Sequence, residues 1–533
     1  MARRAEMYAT HILPLRRRWW VWLFIVTSCL GAGLLIYQAI IQPKVPGIYT
    51  WPDLHYLFQL FQWGDPAFNA APLTYKQSGP AIGPLRVHPT NPRYFTDGSD
   101  KAIYLTGSHT WCDFQDCSSS DPPPEFDSSA FLDFLVAHNH NFYRLWRAEN
   151  AKGGETGDDF WFNPMPYQRP GPGSALDGKP RFDVSQFNQV YFDRMRSQII
   201  AAGQRGIYVS IMLFDGWSVE SKFGGHTPWQ GHPFNSSNNI NGINGDSNGN
   251  GSGEETHTLA IPVITTSQEA YVQKVIDTVN DLDNVLYEIS NESPGNSQDW
   301  QYHLINYIKA YEATQPKQHP VGMTVEYPGG DNAELFAGPA DWISPNGDIN
   351  NLPEFDGSKI VLLDTDHLCG LCGDGQWVWQ SFTRGANPIF MDPYDGGATG
   401  RGAPFGYDPN NTNDVNIRQN LGYALTYANR MNLAAMTPRG DLCSTNYCLA
   451  NPTRDSAEYL VYLPIGGSVT VDLSATPGEL SVEWFNPSTG MAIVGETTPG
   501  GNLSTLTTPF SGEAVLYIYK SFATYLPIIL KSQ

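Results

Sequence analysis

The sequence predicts an α/β protein with a (β/α)8 TIM barrel, a C-terminal all-β sandwich domain and an N-terminal transmembrane helix. Three patterns predict this architecture. Strand-like apolar runs alternate with helical patterns between residues 86 and 450, and short alternating segments separated by turn residues occupy 455–520. An uncharged apolar run lies near the N-terminus. With 533 residues, the chain is long enough for all three parts.

Composition restricts the classes of function. Hydrophobic residues make up 41% of the chain and aromatic residues 13%, so the chain can bury a large core and is not disordered. Its 53 acidic and 32 basic residues give a net charge of −21, which disfavours nucleic acid as a partner. Few charges and many aromatic rings suit an uncharged, hydrogen-bonding ligand such as a carbohydrate.

The N-terminal part has the pattern of a membrane anchor. Residues 19–41 carry no charge, and a helix of that length at about 1.5 Å per residue crosses a bilayer core. Five arginines within residues 1–18 favour a cytoplasmic location for this segment, with the rest of the chain outside the cytoplasm. A cleaved signal peptide and a secreted protein are the alternative. Residues 42–85 are interpreted as a stalk and lead-in.

The barrel prediction depends on eight strand candidates. They are apolar, β-branched or aromatic runs at 102–107, 141–147, 206–214, 284–290, 320–326, 341–344, 359–364 and 387–391. Helical patterns follow most of them, at 128–138, 184–205, 267–281, 299–314, 376–384 and 413–431. An open doubly wound sheet is the alternative, but no phosphate-binding glycine pattern follows the first strand. The segments that follow barrel strands form the active site in this fold, so those segments hold the candidate residues.

The C-terminal part lacks a helical period. Four short alternating runs, YLVYLP, VTVDL, LSVEWF and AVLYIY, predict a small β-sandwich over residues 455–520. Residues 521–533 form a tail that is too short to span a membrane.

The fourth strand candidate ends in a sequence that can carry acid–base chemistry. Alternation puts Glu288 and Glu292 on one side of the strand and Asn291 on the other until the strand bends. Glu292 lies at the predicted mouth of the barrel and is the acid/base candidate.

The seventh strand candidate supplies the second carboxylate. Asp364 and Asp366 share a parity, so both could face the barrel axis. Hydrolysis of a glycosidic bond needs one carboxylic acid to protonate the leaving oxygen and a second carboxylate to attack or to activate water. Glu292 and Asp366 supply this pair, whereas Asp364 is expected to be a buried carboxylate hydrogen-bonded to Arg144.

Polar and aromatic side chains at the other strand ends are predicted to bind substrate. Sugars stack their C–H faces on aromatic rings and require polar partners for their hydroxyls. The predicted substrate-binding residues are His109, Trp111, Arg144, Trp146, Glu149, Asp215, Trp217, Asn291, Asp364, His367, Asp392 and Tyr394.

Six of the seven cysteines form three close pairs, Cys112/Cys117, Cys369/Cys372 and Cys443/Cys448. Outside the cytoplasm such pairs favour disulfides. Zinc ligation at Cys369-x-x-Cys372 beside His367 and free buried thiols are the alternatives.

No cofactor or metal is expected. Residues 246–251 match the opening of a calcium loop, D-x-[DN]-x-[DN]-G, but position 12 is His257 rather than Glu, which favours a solvated loop. No H-E-x-x-H pattern occurs, so a zinc- or calcium-dependent hydrolase is a minor alternative.

The motifs YLTGSHTW, NFYRLWR, YEISNES, VLLDTDH and NPIFMDPYD make residues 85–394 resemble the apiosidase-like glycoside hydrolases, a TIM-barrel group akin to clan A glycosidases. The segments EYLVYLP, VEWFNPSTG and VLYIY resemble the collagen-binding-type β-sandwich that follows such barrels. The resemblance implies that Asn291 and Glu292 form the acid/base motif and that Arg144 is the supporting arginine. The family's nucleophile is ordinarily a Glu where this chain has Asp366. Because Asp is one methylene shorter, both retaining and inverting outcomes stay open.

Two functions follow from these patterns. The first is a membrane-anchored extracellular glycoside hydrolase that cleaves polysaccharides or oligosaccharides, with pectic side chains as one candidate substrate. The second is a non-catalytic surface protein that binds glycan or protein through a degenerate barrel.

Overall fold

The computed structural model describes residues 70–73, 79–153, 159–222, 228–394 and 410–520. The predicted segments 1–18, 19–41 and 521–533, and most of 42–85, lie outside these ranges. Within them, no helix is both long and apolar enough to cross a membrane.

Eight parallel strands form the barrel. They are β1 (Gly107–His109), β2 (Phe142–Leu145), β3 (Tyr208–Asp215), β4 (Val285–Asn291), β5 (Val321–Thr324), β6 (Trp342–Ser344), β7 (Ile360–Asp364) and β8 (Asn387–Met391). Each strand from β2 to β8 pairs with the next, and β8 pairs with β1. Just before β1 and β2, the Asn141 N–H donates to the Thr106 carbonyl at 3.0 Å, and the Asn141 Oδ1 accepts from the Thr106 N–H at 2.9 Å. The predicted TIM-like arrangement of eight strands is confirmed.

The first strand differs from its prediction. The ladder with β8 begins only at Gly107, whereas Ile103 in the predicted run pairs with Phe95. The apolar run 102–107 therefore belongs mostly to the base of the barrel, and its apolar character comes from burial rather than from the barrel sheet.

The helices pack around the strands. They are α1 (Ser128–Ala137), α2 (Gln189–Gln204), α3 (Pro262–Val279), α4 (Gln298–Glu312), α5 (Asn332–Ala337), α6 (Thr365–Leu368), α7 (Gly375–Thr383) and α8 (Thr412–Arg430). The predicted helix 184–205 begins later, because Asp183–Phe187 is a strand and the Asn188 side chain caps α2 by accepting from the Val190 N–H.

The C-terminal region consists of two sheets. Its strands are β9 (Cys448–Asn451), β10 (Glu458–Leu463), β11 (Ser468–Asp472), β12 (Gly478–Asn486), β13 (Met491–Val494), β14 (Leu503–Thr507) and β15 (Ala514–Tyr519). Strands β13, β12, β15, β10 and β9 lie side by side in the larger sheet, which also contains Ala70–Pro72, Thr437–Pro438 and Thr498–Gly500. Strands β11 and β14 form the smaller sheet.

The larger sheet has two apolar faces. Along β10, Tyr459 and Val461 belong to the core between the two sheets, whereas Leu460 and Tyr462 belong to the core shared with the barrel. This alternation fixes the sheet against the barrel helices α7 and α8.

Candidate active site

Arg144 of β2 lies at the centre of the residues that follow the strands. Its Nε and Nη2 donate to the two Glu288 oxygens at 3.0 and 2.6 Å, and Nη2 also donates to the Asn291 Oδ1 at 2.7 Å. Nη1 donates to Asp364 at 3.2 Å and to Asp366 at 2.9 Å. One buried guanidinium thus joins side chains from β2, β4 and β7 and the segment after β7.

The two inner carboxylates are fully enclosed. Glu288 is 0% exposed and Asp364 is 1% exposed. The His109 Nε2 lies 2.9 Å from Asp364. Burial alone would raise the pKa of Asp364, but His109 and Arg144 outweigh it and hold the pKa below its usual range. Asp364 is therefore a charged, fully paired residue beneath the site.

Asp366 reaches the site from a helix rather than from the strand. β7 ends at Asp364, whose carboxylate caps α6 by accepting from the Asp366 N–H at 3.0 Å. The parity argument for Asp366 is therefore corrected, because its direction comes from the first turn of α6. Its side chain is 7% exposed. Burial raises its pKa, opposed chiefly by Arg144.

Glu292 lies directly after β4, where the strand bends. Its φ of 44° is left-handed, and Gly216 packs so closely that an added Cβ would lie 2.0 Å from the Glu292 carbonyl oxygen. The Trp217 indole N–H donates to the Glu292 Oε2 at 2.5 Å. Burial, and then the nearby Asp366, raise the pKa of Glu292 to about 8.

Asn291 links Arg144 to His367. The His367 Nε2 donates to the Asn291 Oδ1 at 3.1 Å, and its Nδ1 lies 2.7 Å from the Ser344 hydroxyl. Burial and Arg144 lower the pKa of His367 to about 3, so its imidazole is neutral.

A cavity of about 540 Å³ opens above these groups. Glu292 and Asp366 both line it, together with Asp215 and His367. Its aromatic walls are Trp111, Trp146, Phe160, Phe162, Trp217 and Tyr327. The rings of Trp217 and Tyr327 are stacked, with centroids 6.4 Å apart and planes 14° apart. The cavity therefore presents carboxyl groups beside flat apolar faces.

A second buried network supports the wall beside Glu292. Glu149 accepts from the Asp215 N–H at 2.8 Å and from the His257 Nε2 at 2.9 Å, and the His257 Nδ1 lies 3.0 Å from the Ser293 hydroxyl. Burial and then Glu149 raise the pKa of Asp215 to about 7. Through His257, the segment after β3 thus contacts Ser293, the residue that follows Glu292.

Two predicted substrate-binding residues lie elsewhere. Asp392 is fully buried and accepts from the Arg418 Nε of α8 at 2.7 Å. Tyr394 packs on Phe131 and Phe134 of α1, with ring centroids 5.0 and 4.7 Å apart. Both lie at the end of β8 as predicted, but their partners on the outer helices hold them outside the described cavity lining. His109, Arg144, Glu149 and Asp364 likewise lie behind the lining rather than in it.

Sequence reasoning missed several residues of the site. Alternation indicates only which side of the strand Glu288 faces, yet Glu288 makes the bidentate contact with Arg144; an acid on an apolar strand is the available signal. Tyr327, after β5, and the Phe160 and Phe162 walls come from connecting segments whose paths no periodicity reveals.

The cysteine pairs differ in state. Cys112–Cys117 and Cys369–Cys372 are disulfides, whereas Cys443 and Cys448 are free and buried. The zinc interpretation is wrong for Cys369 and Cys372, because their sulfurs bond to each other. The described ranges contain no group of three or more His, Cys, Asp or Glu side chains arranged to hold a metal ion. In the loop 246–251, for which the sequence favours a solvated loop over a calcium site, the Asp246 carboxylate accepts from the N–H groups of Gly249 and Gly251.

Comparisons with known proteins address the fold. Residues 136–331 match the family model described as "Domain of unknown function (DUF6298)", and residues 441–515 match "Putative collagen-binding domain of a collagenase". No curated protein matches the sequence significantly.

Among solved structures, the chain is similar to one described as a glycoside hydrolase, with 12% identity, a TM-score of 0.52, and coverage of 84% of this chain and 99% of the other. A glycoside hydrolase family 5 protein from Bacteroides vulgatus ATCC 8482 is 13% identical with a TM-score of 0.52, covering 84% and 95%. A "putative glycoside hydrolase" from the same organism is 12% identical with a TM-score of 0.54, covering 84% of each chain. The chain therefore shares the fold of these glycoside hydrolase structures.

Proposed function

We propose that this protein is a glycoside hydrolase in which Glu292 is the general acid and Asp366 is the second carboxylate. The observation that carries the proposal is this pair: both groups line one aromatic-walled cavity, but only Asp366 accepts from the Arg144 guanidinium. Two carboxyl groups in unlike surroundings are what acid-catalysed glycoside cleavage requires. The likeness to glycoside hydrolase folds supports the same class.

The surroundings divide the roles. Glu292, with a pKa raised to about 8 by burial and by Asp366, holds a proton at neutral pH. Its Oε2 accepts from Trp217, which leaves Oε1 as the oxygen that carries the proton. The guanidinium contact favours the ionised form of Asp366.

In the reaction, the bond between the anomeric carbon and the glycosidic oxygen breaks while the Glu292 proton passes to that oxygen. Asp366 either attacks the anomeric carbon, forming an ester that water later hydrolyses, or takes a proton from the attacking water. In the first route, ionised Glu292 takes a proton from the water that hydrolyses the ester. In the second, the proton gained by Asp366 leaves to solvent and Glu292 regains one from solvent. Either route consumes one water and restores both carboxyl groups.

The proposed location is outside the cytoplasm, with residues 19–41 as the membrane anchor. The arginines within 1–18 support this orientation, and the disulfides Cys112–Cys117 and Cys369–Cys372 support an oxidising compartment. The proposed substrates are polysaccharides or oligosaccharides. More narrowly, we propose that the protein removes a side-chain sugar from them, as the resemblance to the apiosidase-like group implies.

The deciding experiment measures sugar release by the full-length protein from a panel of pectic and other polysaccharides, with Glu292→Gln as the paired variant. We expect release by the parent and a loss of about 10²–10⁴-fold in the variant. Sugar binding without release by either protein would contradict the proposal and favour a non-catalytic glycan-binding protein.

A further inference from the structure

The described lining of the cavity has an unusual charge content. Asp215 at the end of β3, Glu292 after β4 and Asp366 in α6 contribute three carboxyl groups, and no described lining residue is Lys or Arg. A ligand carboxylate in this cavity would therefore lie beside the Asp366 carboxylate, and beside Asp215, which adds a second negative charge as the pH rises above about 7.

The Arg144 guanidinium offers no compensation. Arg144 has five N–H donors, and Glu288 accepts two, while Asn291, Asp364 and Asp366 accept one each. Its side chain is 3% exposed and lies beneath the lining. No donor of Arg144 is left to bind an anionic ligand.

Two further basic groups among the described residues also have partners within the protein. The Lys222 side chain is 0% exposed, and its Nζ donates to Glu220 and to the Tyr327 carbonyl. His367 is neutral, and both of its ring nitrogens have partners. His367 therefore supplies no cation. The Lys222 ammonium lowers the pKa of Glu292 and of Asp215, but it lies 6.0 and 5.9 Å from the ring centroids of Trp217 and Tyr327 and is not part of the described lining.

We propose that the glycosyl unit bound in this cavity is uncharged, and that uronic acids and sulfated sugars are rejected there. The inference rests on the proposed function and deepens it by naming the substrate class. A buried anion needs a cation or several N–H donors, and without them both desolvation and like-charge repulsion oppose binding. The faces of Trp146, Trp217 and Tyr327 instead suit the C–H faces of a neutral sugar.

The test compares matched 4-nitrophenyl glycosides with the full-length protein: glucoside against glucuronide and galactoside against galacturonide, each in both anomeric forms, with pentosides added. We expect kcat/KM for the best neutral glycoside to exceed that of every uronide by about 100-fold. Equal or better cleavage of a uronide would overturn the inference and leave the hydrolase proposal standing.

Failure of the hydrolase proposal has a different signature. If no glycoside is cleaved, calorimetric titration of Glu292→Gln with neutral and uronic acid oligosaccharides still tests the charge preference. Binding of the neutral ligands alone supports it, whereas equal or tighter binding of the uronic acid ligands, or binding of neither class, contradicts it.

Asp215 provides a sharper variant. Asp215→Asn removes one lining carboxyl group, so the neutral-over-uronide preference, in kcat/KM or in Kd, should fall several-fold. Asp193→Asn removes a carboxyl group from the exposed surface of α2 and should leave the preference unaltered. Equal effects of the two variants would contradict a role for the charges in the cavity.

Discussion

Two regions of the molecule, the cluster around Arg144 and the interface between the barrel helices and the C-terminal sheet, are held together by different kinds of contact. Around Arg144, the ends of β2, β4 and β7 bury carboxylates against a single guanidinium. Where α7 and α8 meet the larger C-terminal sheet, the contacts are aromatic: Phe485 of β12 packs on Trp379, Tyr423 and Tyr427, with centroids 5.8, 5.1 and 5.5 Å away.

This difference predicts that the first region serves the reaction and that the second serves the stability of the fold. Apolar burial between barrel and sheet stabilises the fold without directional constraint. The charged cluster is stable only while every member keeps its partner, because buried charges cost several kcal/mol when unpaired. We therefore expect changes at the first region to alter catalysis and changes at the second to alter only stability.

The largest expected effect is on turnover. Asp366→Asn should lower kcat about 10²–10⁴-fold, because the neutral amide can neither attack the anomeric carbon nor accept a proton from water. Phe485→Leu, at the other region, should leave kcat within about twofold. Steady-state kinetics on any cleaved substrate checks both. Similar losses of kcat in the two variants would contradict the assignment of catalysis to the first region and of stability to the second.

Removing the guanidinium should strongly destabilise the fold. Arg144→Met leaves Glu288 and Asp364 buried without their cation, and we expect a loss of about 3–5 kcal/mol in the free energy of unfolding. Denaturant titration measures it. Arg196→Met breaks an exposed pair with Asp281 and should cost less than about 1 kcal/mol. Comparable losses in the two variants would show that the buried ion pairs of Arg144 contribute no more to stability than an exposed pair does.

The aromatic interface should respond in stability alone. Phe485→Ala should cost about 3–5 kcal/mol, since the fully buried ring leaves a cavity among Trp379, Tyr423 and Tyr427. The exposed Val494→Ala is the control and should change little. An accompanying fall in the kcat of the folded enzyme would mean that the interface also influences the site.

The pH dependence should report the proton on Glu292. With its pKa raised to about 8, activity should decline as pH rises through that value, and it should also decline at low pH as Asp366 is protonated. Trp217→Phe keeps the ring beside Tyr327 but removes the N–H donor that favours ionised Glu292. The alkaline limb should move to higher pH and kcat/KM should fall about tenfold. Tyr327→Phe should leave the limb in place; an unmoved limb in Trp217→Phe would contradict the assignment.

The smallest effect is a gain in stability. Raising the folded-state pKa of Glu292 makes the parent lose stability as pH rises from about 4.5 towards 8, where the unfolded chain is ionised but the folded chain is not. Glu292→Gln lacks this loss, so its Tm should exceed that of the parent by about a few degrees at pH 8 and hardly at all at pH 4. Calorimetry at the two pH values checks it; a Tm gain independent of pH would point to a packing effect.

Sequence patterns were sufficient for elements whose burial is periodic. The strand predicted at 387–391 is β8 residue for residue, and the alternating runs that predicted the C-terminal strands appear as β10, β11, β12 and β15. Hydrophobic period follows local geometry, so it can be recognised without knowing what the element packs against. For the same reason, the pattern at 102–107 predicts a barrel strand where only Gly107 joins one, since an apolar run does not say which partner buries it.

The sequence by itself determined that the chain is a barrel with carboxylates after its fourth and seventh strands, because strand period and chain order are local properties. The tertiary structure alone decided that Arg144 contacts residues more than 140 positions away from it, that Asp392 and Tyr394 pack against outer helices, and that Tyr327 stacks on Trp217. Side-chain partners depend on where distant segments meet, and that meeting is set by the packing of the whole core rather than by any one segment.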